Sequence, residues 1–332
     1  MNKRRLGRTD LHVSELGLDT HSFAHGTSES AAFTLLDAYH AGGGRFILGS
    51  GATPATPGGA AASNGSEECV GRWHASSGIE RDRLVLASRM NFARPARGGS
   101  VAFANLIRES VEASLRRLRT RHLDLLICDW NDHLAPVEDL LEAAGRLVRA
   151  GLVRHVVAGG FPPWRVIDSI HRSLVRNHAR FEAIQADYSL LTRAHAGAES
   201  LDLSREHRLG FIATSPLAGG RLARRPVSLR ELINVDRNWQ LERRAGQAGD
   251  ALLKALADIA DRRLATPGQI ALAWVLRHPQ VTSALISASS GDELRQLMRA
   301  ADIILTNEDT FALAGAERPA SSSVSGAAPG RR

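Results

Sequence analysis

Lysine, tyrosine and cysteine are nearly absent from this chain of 332 residues, and each shortage removes a class of function. Only Lys3 and Lys254 are lysines, so 40 of the 42 basic side chains are arginine. The tyrosines are Tyr39 and Tyr188, which leaves almost nowhere to build a catalytic Lys–Tyr couple. The cysteines, Cys69 and Cys128, form no disulfide framework and no C-x-x-C metal spacing. No run approaches the ~18 consecutive apolar residues of a membrane span. Met1-Asn2-Lys3-Arg4-Arg5 leads into no apolar segment of a secretory signal. These absences predict a cytoplasmic protein with no membrane and no metal. The formal charge of +7 comes from arginines scattered through many segments, without a nucleic-acid-binding motif, so no nucleic-acid partner is expected.

What is present is an ordinary globular composition, 43% hydrophobic and 23% charged, able to bury a large core. Short β-type runs alternate with amphipathic stretches. A hairpin over Arg4–Leu6 and Val13–Glu15 precedes strand candidates at Glu15–Leu18, Arg45–Leu48, Leu84–Ser88, Leu123–Cys128, Val153–Ala158, Ala183–Ala186, Gly210–Thr214 and Ala284–Ile286. Helices are expected over Glu29–Ala41, Ser66–Ser76, Ser100–Leu118, Val137–Ala150, Pro163–Asn177, Asp250–Arg263, Pro267–Arg277 and Gly291–Ala300. Eight strands alternating with helices predict a single-domain α/β fold, a (β/α)8 TIM barrel with an N-terminal hairpin, over residues 1–317. The Ser/Ala/Gly/Pro-rich tail 318–332 is expected to be disordered, and the Gly/Ala/Pro/Thr loop Gly49–Asn64 to be mobile.

Several stretches resemble the aldo-keto reductase superfamily in order along the chain. They include Arg5-Leu6-Gly7-Arg8-Thr9-Asp10-Leu11, Gly71-Arg72-Trp73 and Leu123-Asp124-Leu125. Gln185-Ala186-Asp187-Tyr188-Ser189, Ser215-Pro216-Leu217-Ala218-Gly219-Gly220 and Pro267-Gly268-Gln269-Ile270-Ala271-Leu272-Ala273-Trp274 continue the likeness to about residue 310. The resemblance implies the barrel fold. It also implies a reduction in which hydride passes from a nicotinamide to a carbonyl carbon while a Tyr, tuned by Lys and Asp, supplies the proton and a His orients the carbonyl.

The residues at the matching positions depart from that pattern. The tetrad Asp corresponds to Leu48 in Leu48-Gly49-Ser50, the Tyr falls near Thr53 in a loop without tyrosine, the Lys to Arg89 and the His to Asp129. Arginine holds its proton at any ordinary pH, so it cannot replace a titrating lysine. On the cofactor side Asp19-Thr20 stands for a Gly-Thr pair, Gly159-Gly160 for the Ser-Asn that holds the carboxamide, and Thr214 for the stacking Tyr. The cation that meets the adenosine phosphate falls at Ser289, and the adenine-reading Asn at Leu297. Gln185, Ser215 and Leu217 are retained. No cofactor is therefore expected, although NADP(H) binding stays open.

The replaced set suggests other chemistry. Arg89 and Asp129, on neighbouring strands, are expected about one strand spacing apart, ~5 Å. Asp19 and His21 would line the same mouth. Together the four are candidates for acid–base work: Asp129 or His21 moving a proton while Arg89 holds a carboxylate, enolate or phenolate. The alternative is an Arg89–Asp129 ion pair plugging a dead site. Leu48, Ser50, Asn91, Trp130, Gln185, Tyr188 and Thr214 are candidate substrate contacts, Tyr188 either reaching into the mouth or capping the barrel. The sequence thus points to a cofactor-independent cyclase, dehydratase or isomerase acting on a mid-sized small molecule, with specialised metabolism as a setting. Its rivals are a non-catalytic ligand- or partner-binding barrel and an NAD(P)H-dependent carbonyl reductase with atypical residues.

Overall fold

The computed structural model describes residues 1–24, 27–50, 64–92, 99–129, 136–193, 196–223 and 246–315. A two-stranded antiparallel hairpin, β1 (Lys3–Arg5) and β2 (His12–Ser14), precedes eight parallel strands. These are β3 (Leu16–Asp19), β4 (Phe46–Ser50), β5 (Val85–Asn91), β6 (Leu123–Asp129), β7 (Val153–Gly159), β8 (Phe181–Asp187), β9 (Gly210–Thr214) and β10 (Val281–Ile286). They pair in chain order and close through β10 onto β3, so the expected (β/α)8 barrel is what forms.

Helices cover the outside: α1 (Glu29–Ala41), α2 (Asn64–Ser77), α3 (Gly99–Leu118), α4 (Val137–Arg149), α5 (Pro163–Arg176) and α6 (Ala196–His207) in the first part. Then come α7 (Gly246–Arg262), α8 (Pro267–Arg277), α9 (Gly291–Met298) and α10 (Asn307–Gly315). Their ends follow local chemistry. Ser28 caps α1 by accepting from the Ala31 N–H, and Thr266 with Gln269 forms a reciprocal capping box at α8, where Pro267 occupies the first turn. Helix α6 has no counterpart in the sequence reading. Its inward face includes the small polar Ser200 and Ser204 beside Leu201 and Leu203, which blurs the apolar period. The stretch expected as one helix to Ala300 ends at Met298 and tightens into a 3-10 turn over Arg299–Asp302.

Two apolar layers follow from strand alternation. Phe46, Leu48, Val85, Ala87, Leu125, Ile127, Val157, Ala183, Ile212 and Leu285 point into the barrel, where Leu6, Leu11 and Val13 of the hairpin close its N-terminal end. Their strand neighbours, such as Leu86, Leu126, Val156, Ile184 and Phe211, face the helices. Gly7 makes the hairpin seal possible. Its φ is +53°, and a Cβ there would lie 2.6 Å from the Gly210 nitrogen.

Strands β5 and β6 run past their apolar stretches to Asn91 and Asp129, whose backbones remain in register as partners. Polar side chains interrupt the hydrophobic pattern there, but the hydrogen-bond ladder continues. Arg89 and Asp129 consequently stand on strands rather than loops. Residues 318–332 and most of Gly49–Asn64 lie outside the described residues. No helix among the described residues is long and apolar enough to cross a membrane.

Candidate functional site

Alternation along the strands decides which side chains reach the C-terminal mouth, where barrels of this type gather their reacting groups. Continuing the inward set by twos gives Asp19, Ser50, Arg89, Asn91, Asp129, Gly159, Gln185, Asp187 and Thr214. The register places Ser50 opposite Arg89, Asn91 opposite Asp129, and Gly159 between Asp129 and Gln185.

Three of these form a cluster. Arg89 Nη2 donates to Gln185 Oε1 at 2.6 Å, and Arg89 Nε lies 3.5 Å from Asp129 Oδ1. The second contact is an ion pair without a hydrogen bond. Arg89 Nε and Gln185 Nε2 are buried donors with no acceptor among the described residues. A buried donor left in that state costs about 1–3 kcal/mol. Burial pushes the Asp129 carboxyl up to about 6 although Arg89 pulls it down. A carboxyl titrating there exchanges protons near neutral pH, which a carboxyl with an ordinary pKa, almost wholly ionised there, does far less readily.

Gly159 is what lets Asp129 lie there. A Cβ at position 159 would sit 2.5 Å from Asp129 Oδ1, so any side chain would evict the carboxyl. Behind the mouth, Ser88 points outward and donates to Glu67 Oε1 at 2.5 Å, while Arg117 reaches Glu67 Oε2 at 2.7 Å. Glu67 is fully buried. This pair fixes α2 and α3 against β5 beside Arg89. Neither Gly159 as a space-maker nor Glu67 carries a signal visible in a single sequence.

The remaining expected site residues divide. Asp19 lies at the mouth, but its Oδ1 accepts the backbone N–H of His21 at 3.0 Å, which ties it into its own turn. His21 is exposed on the rim. Leu48 is 1% exposed and belongs to the apolar interior, forming the floor below Ser50. Thr214 donates to Asp187 Oδ1 at 2.6 Å, a rim pair that sequence reading did not anticipate. Ser215 takes φ +49° and opens a tight turn whose Leu217 packs half-buried against the core. Trp130 lies outside the described residues.

Tyr188 is a correction: it does not reach into the mouth. Even-numbered positions at the end of β8 face the helices, so its ring stacks on Trp274 of α8 at 5.3 Å and meets Phe211 edge-on. Burial pushes its hydroxyl up to about 12. Tyr39 is also fully buried on the outer side, its hydroxyl within hydrogen-bond distance of the Leu16 and Phe46 carbonyls. Lys3 lies in the hairpin and Lys254 on α7, where it pairs with Asp258. Both tyrosines and both lysines of the chain are thus placed, and all four lie away from the mouth.

Where the resemblance would place the adenosine phosphate, the chain's own groups bond one another. The Ser289 N–H and hydroxyl both donate to Glu293 Oε2, at 2.8 and 2.6 Å, and Ser290 caps α9 by accepting from the Glu293 N–H. Asp292 adds a second carboxylate to that first turn. Leu297 is buried in the core. A helix N-terminus that would attract a phosphate therefore already holds a carboxylate, while Arg295 Nη2 donates to Asp292 Oδ1 in the same turn.

At the opposite end of the barrel lies a cavity of about 650 Å³. Its lining includes Arg45, Arg81, Arg154, Asp10, Asp82 and Asp124. Asp124 takes contacts from both Arg81 and Arg154, and Arg154 also reaches Asp10. These charges largely satisfy one another, and the N-terminal face of such barrels serves stability.

The aldo/keto reductase family model matches residues 17–317. A Bacillus subtilis protein named uncharacterized oxidoreductase YrpG is 30% identical, the alignment covering 95% of this chain and 97% of that protein. Protein tas of Escherichia coli is also 30% identical, over 94% of this chain and 96% of its own length. The aldo-keto reductase dtxS3 of Metarhizium robertsii is 30% identical over 58% of this chain and 51% of that protein.

Proposed function

The chain belongs to the aldo/keto reductase family, and we propose that its barrel mouth performs redox-neutral proton transfer, as an isomerase, dehydratase or cyclase, on a small organic substrate. One observation carries this reading. Both tyrosines and both lysines lie away from the mouth, while Arg89, Gln185 and a proton-exchanging Asp129 meet within it.

In this reading Asp129 is the catalytic acid–base. Ionised, it removes a proton from carbon next to a carbonyl; protonated, it returns one at another atom. Arg89 stays charged throughout and faces the negative charge that develops on the substrate. Partial burial keeps the proton affinity of Asp129 high. The transfer needs no nicotinamide, in keeping with a Glu293 carboxylate at the adenosine-phosphate position. Asp19 and His21 stand on the rim as candidates for a second proton carrier.

A second reading, a carbonyl reductase with atypical residues, is favoured by the family membership and by full-length relatives named as oxidoreductases. Two measurements separate the readings. In heavy water, NMR follows deuterium entry into phenylpyruvate and related enolisable acids with wild type and Asp129→Asn. Exchange well above buffer that disappears in the variant supports proton transfer. Exchange at the buffer rate together with micromolar binding of NADPH or NADH replaces it with the reductase.

A further inference from the structure

We propose that Arg89 and Gln185 together form a carboxylate-binding site, which makes the substrate of the mouth an organic acid. The assignment deepens and rests on the proton-transfer reading, since it names what Asp129 acts upon.

A guanidinium has donors only, so the 2.6 Å bond from Arg89 Nη2 fixes the Gln185 amide with its oxygen toward the arginine. The NH2 end is thereby turned away. Gln185 is 1% exposed, and its Nε2 has no acceptor among the described residues; neither has Arg89 Nε. Two buried donors, one of them charged, are thus left without an acceptor on side chains that are bonded to each other at the ends of β5 and β8. Between those strands, Gly159 presents no side chain. Their missing partner is an acceptor with negative charge.

Asp129 does not fill that role well. Its Oδ1 stays 3.5 Å from Arg89 Nε without hydrogen-bond geometry, and burial disfavours its ionised form. A dianionic phosphate would bring two negative charges to Arg89 beside the Asp129 carboxyl. A carboxylate brings one charge and two in-plane oxygens, which suits one donor from each side chain.

Binding then exchanges one carboxylate for another. Arg89 on β5 is the charged side chain acting on Asp129, and β7 faces it with Gly159. When a ligand carboxylate takes over Arg89, Asp129 loses its counter-charge and picks up a proton, leaving it ready to act as the acid.

Calorimetric titration of the full chain with benzoate, with benzamide as the neutral control and inorganic phosphate as the tetrahedral one, tests the site. Benzoate is expected to bind near pH 6.5 with proton uptake, about tenfold more weakly near pH 8, and about tenfold more weakly in Gln185→Leu. Arg89→Met should abolish binding; if that variant fails to fold, Gln185→Leu decides. No benzoate binding up to about 50 mM, or equal affinity for benzamide, or wild-type affinity in Gln185→Leu, overturns the proposal. Asp129→Asn keeps the two failures apart. It should still bind benzoate but without proton uptake. Benzoate binding without deuterium exchange into phenylpyruvate would remove the proton-transfer reading and leave the carboxylate site standing.

Discussion

Asp129 Oδ1 and the missing Cβ of Gly159 compete for one space: a methyl group at position 159 would stand 2.5 Å from the carboxylate oxygen. The position of the proposed acid–base is therefore set by an absence on the neighbouring strand.

Replacing Gly159 with alanine should move the Asp129 carboxyl out of its seat. Its titration, followed by carbon NMR of the labelled side chain, should fall from about 6 toward an ordinary carboxylate value, because burial is the main cause of its elevation. Overpacking of this kind costs about 1–3 kcal/mol of stability. An unchanged titration in a folded Gly159→Ala protein would show that the strand absorbs the methyl group and that Gly159 does not hold Asp129 in place.

Asp129→Asn carries a prediction whose sign depends on pH. The folded-state pKa lies above the unfolded value of 3.8, so the ionised carboxyl opposes folding. Below about pH 4 both states are protonated and the penalty vanishes. It grows between about pH 4 and 6 and is fully present above that. Wild type should thus lose about 1–3 kcal/mol relative to Asp129→Asn as pH rises through this window, with solvent at the mouth reducing the effect. Urea unfolding of both proteins at about pH 4 and pH 8 measures it. A difference that stays constant would mean that Asp129 titrates as an exposed carboxyl.

Glu67 and Arg117 supply a test of the frame behind the mouth. Glu67 is fully buried and meets both Arg117 and Ser88. Removing one partner of such a pair strands the other, so Glu67→Ala should cost about 3–5 kcal/mol. The double change Glu67→Ala with Arg117→Met should recover much of it. Thermal melts of the single and double variants check this, and equal losses in both would count against a stranded Arg117.

Asp309 anchors α10. Burial resists its ionisation, but the Thr306 backbone N–H and the Arg263 and Arg262 guanidiniums prevail and hold it down to about 2. Its folded value lies below the unfolded one, so its contribution is present above about pH 4 and disappears as pH falls toward 2. Asp309→Asn should cost about 1–2 kcal/mol at pH 7 and little near pH 2. Denaturation at both pH values reads the difference; an equal cost at both would assign the effect to packing.

Much of the barrel was legible because its signal is local. Apolar runs such as Leu123–Cys128 mark buried parallel strands, and α1 and α8 carry caps at both the start and the stop of their periodicity. Helix α6 escaped because small polar residues share its buried face. The site was legible in part. Arg89 and Asp129 stood out as charges at the ends of strands, and they do meet. Tyr188 was ambiguous until the register of β8 turned it toward Trp274.

The sequence alone determined the composition of the mouth: with two tyrosines and two lysines in the whole chain, few arrangements of reacting groups were available. It also determined the barrel, since strand and helix periods are properties of neighbouring residues. Only the tertiary structure decided that Gln185 turns its oxygen to Arg89, that Gly159 makes room for Asp129, and that Glu293 meets Ser289 at the start of α9. The first two join residues from different strands, and all three depend on where a side chain points. Pairing register and strand closure fix such distances, and no local pattern encodes them.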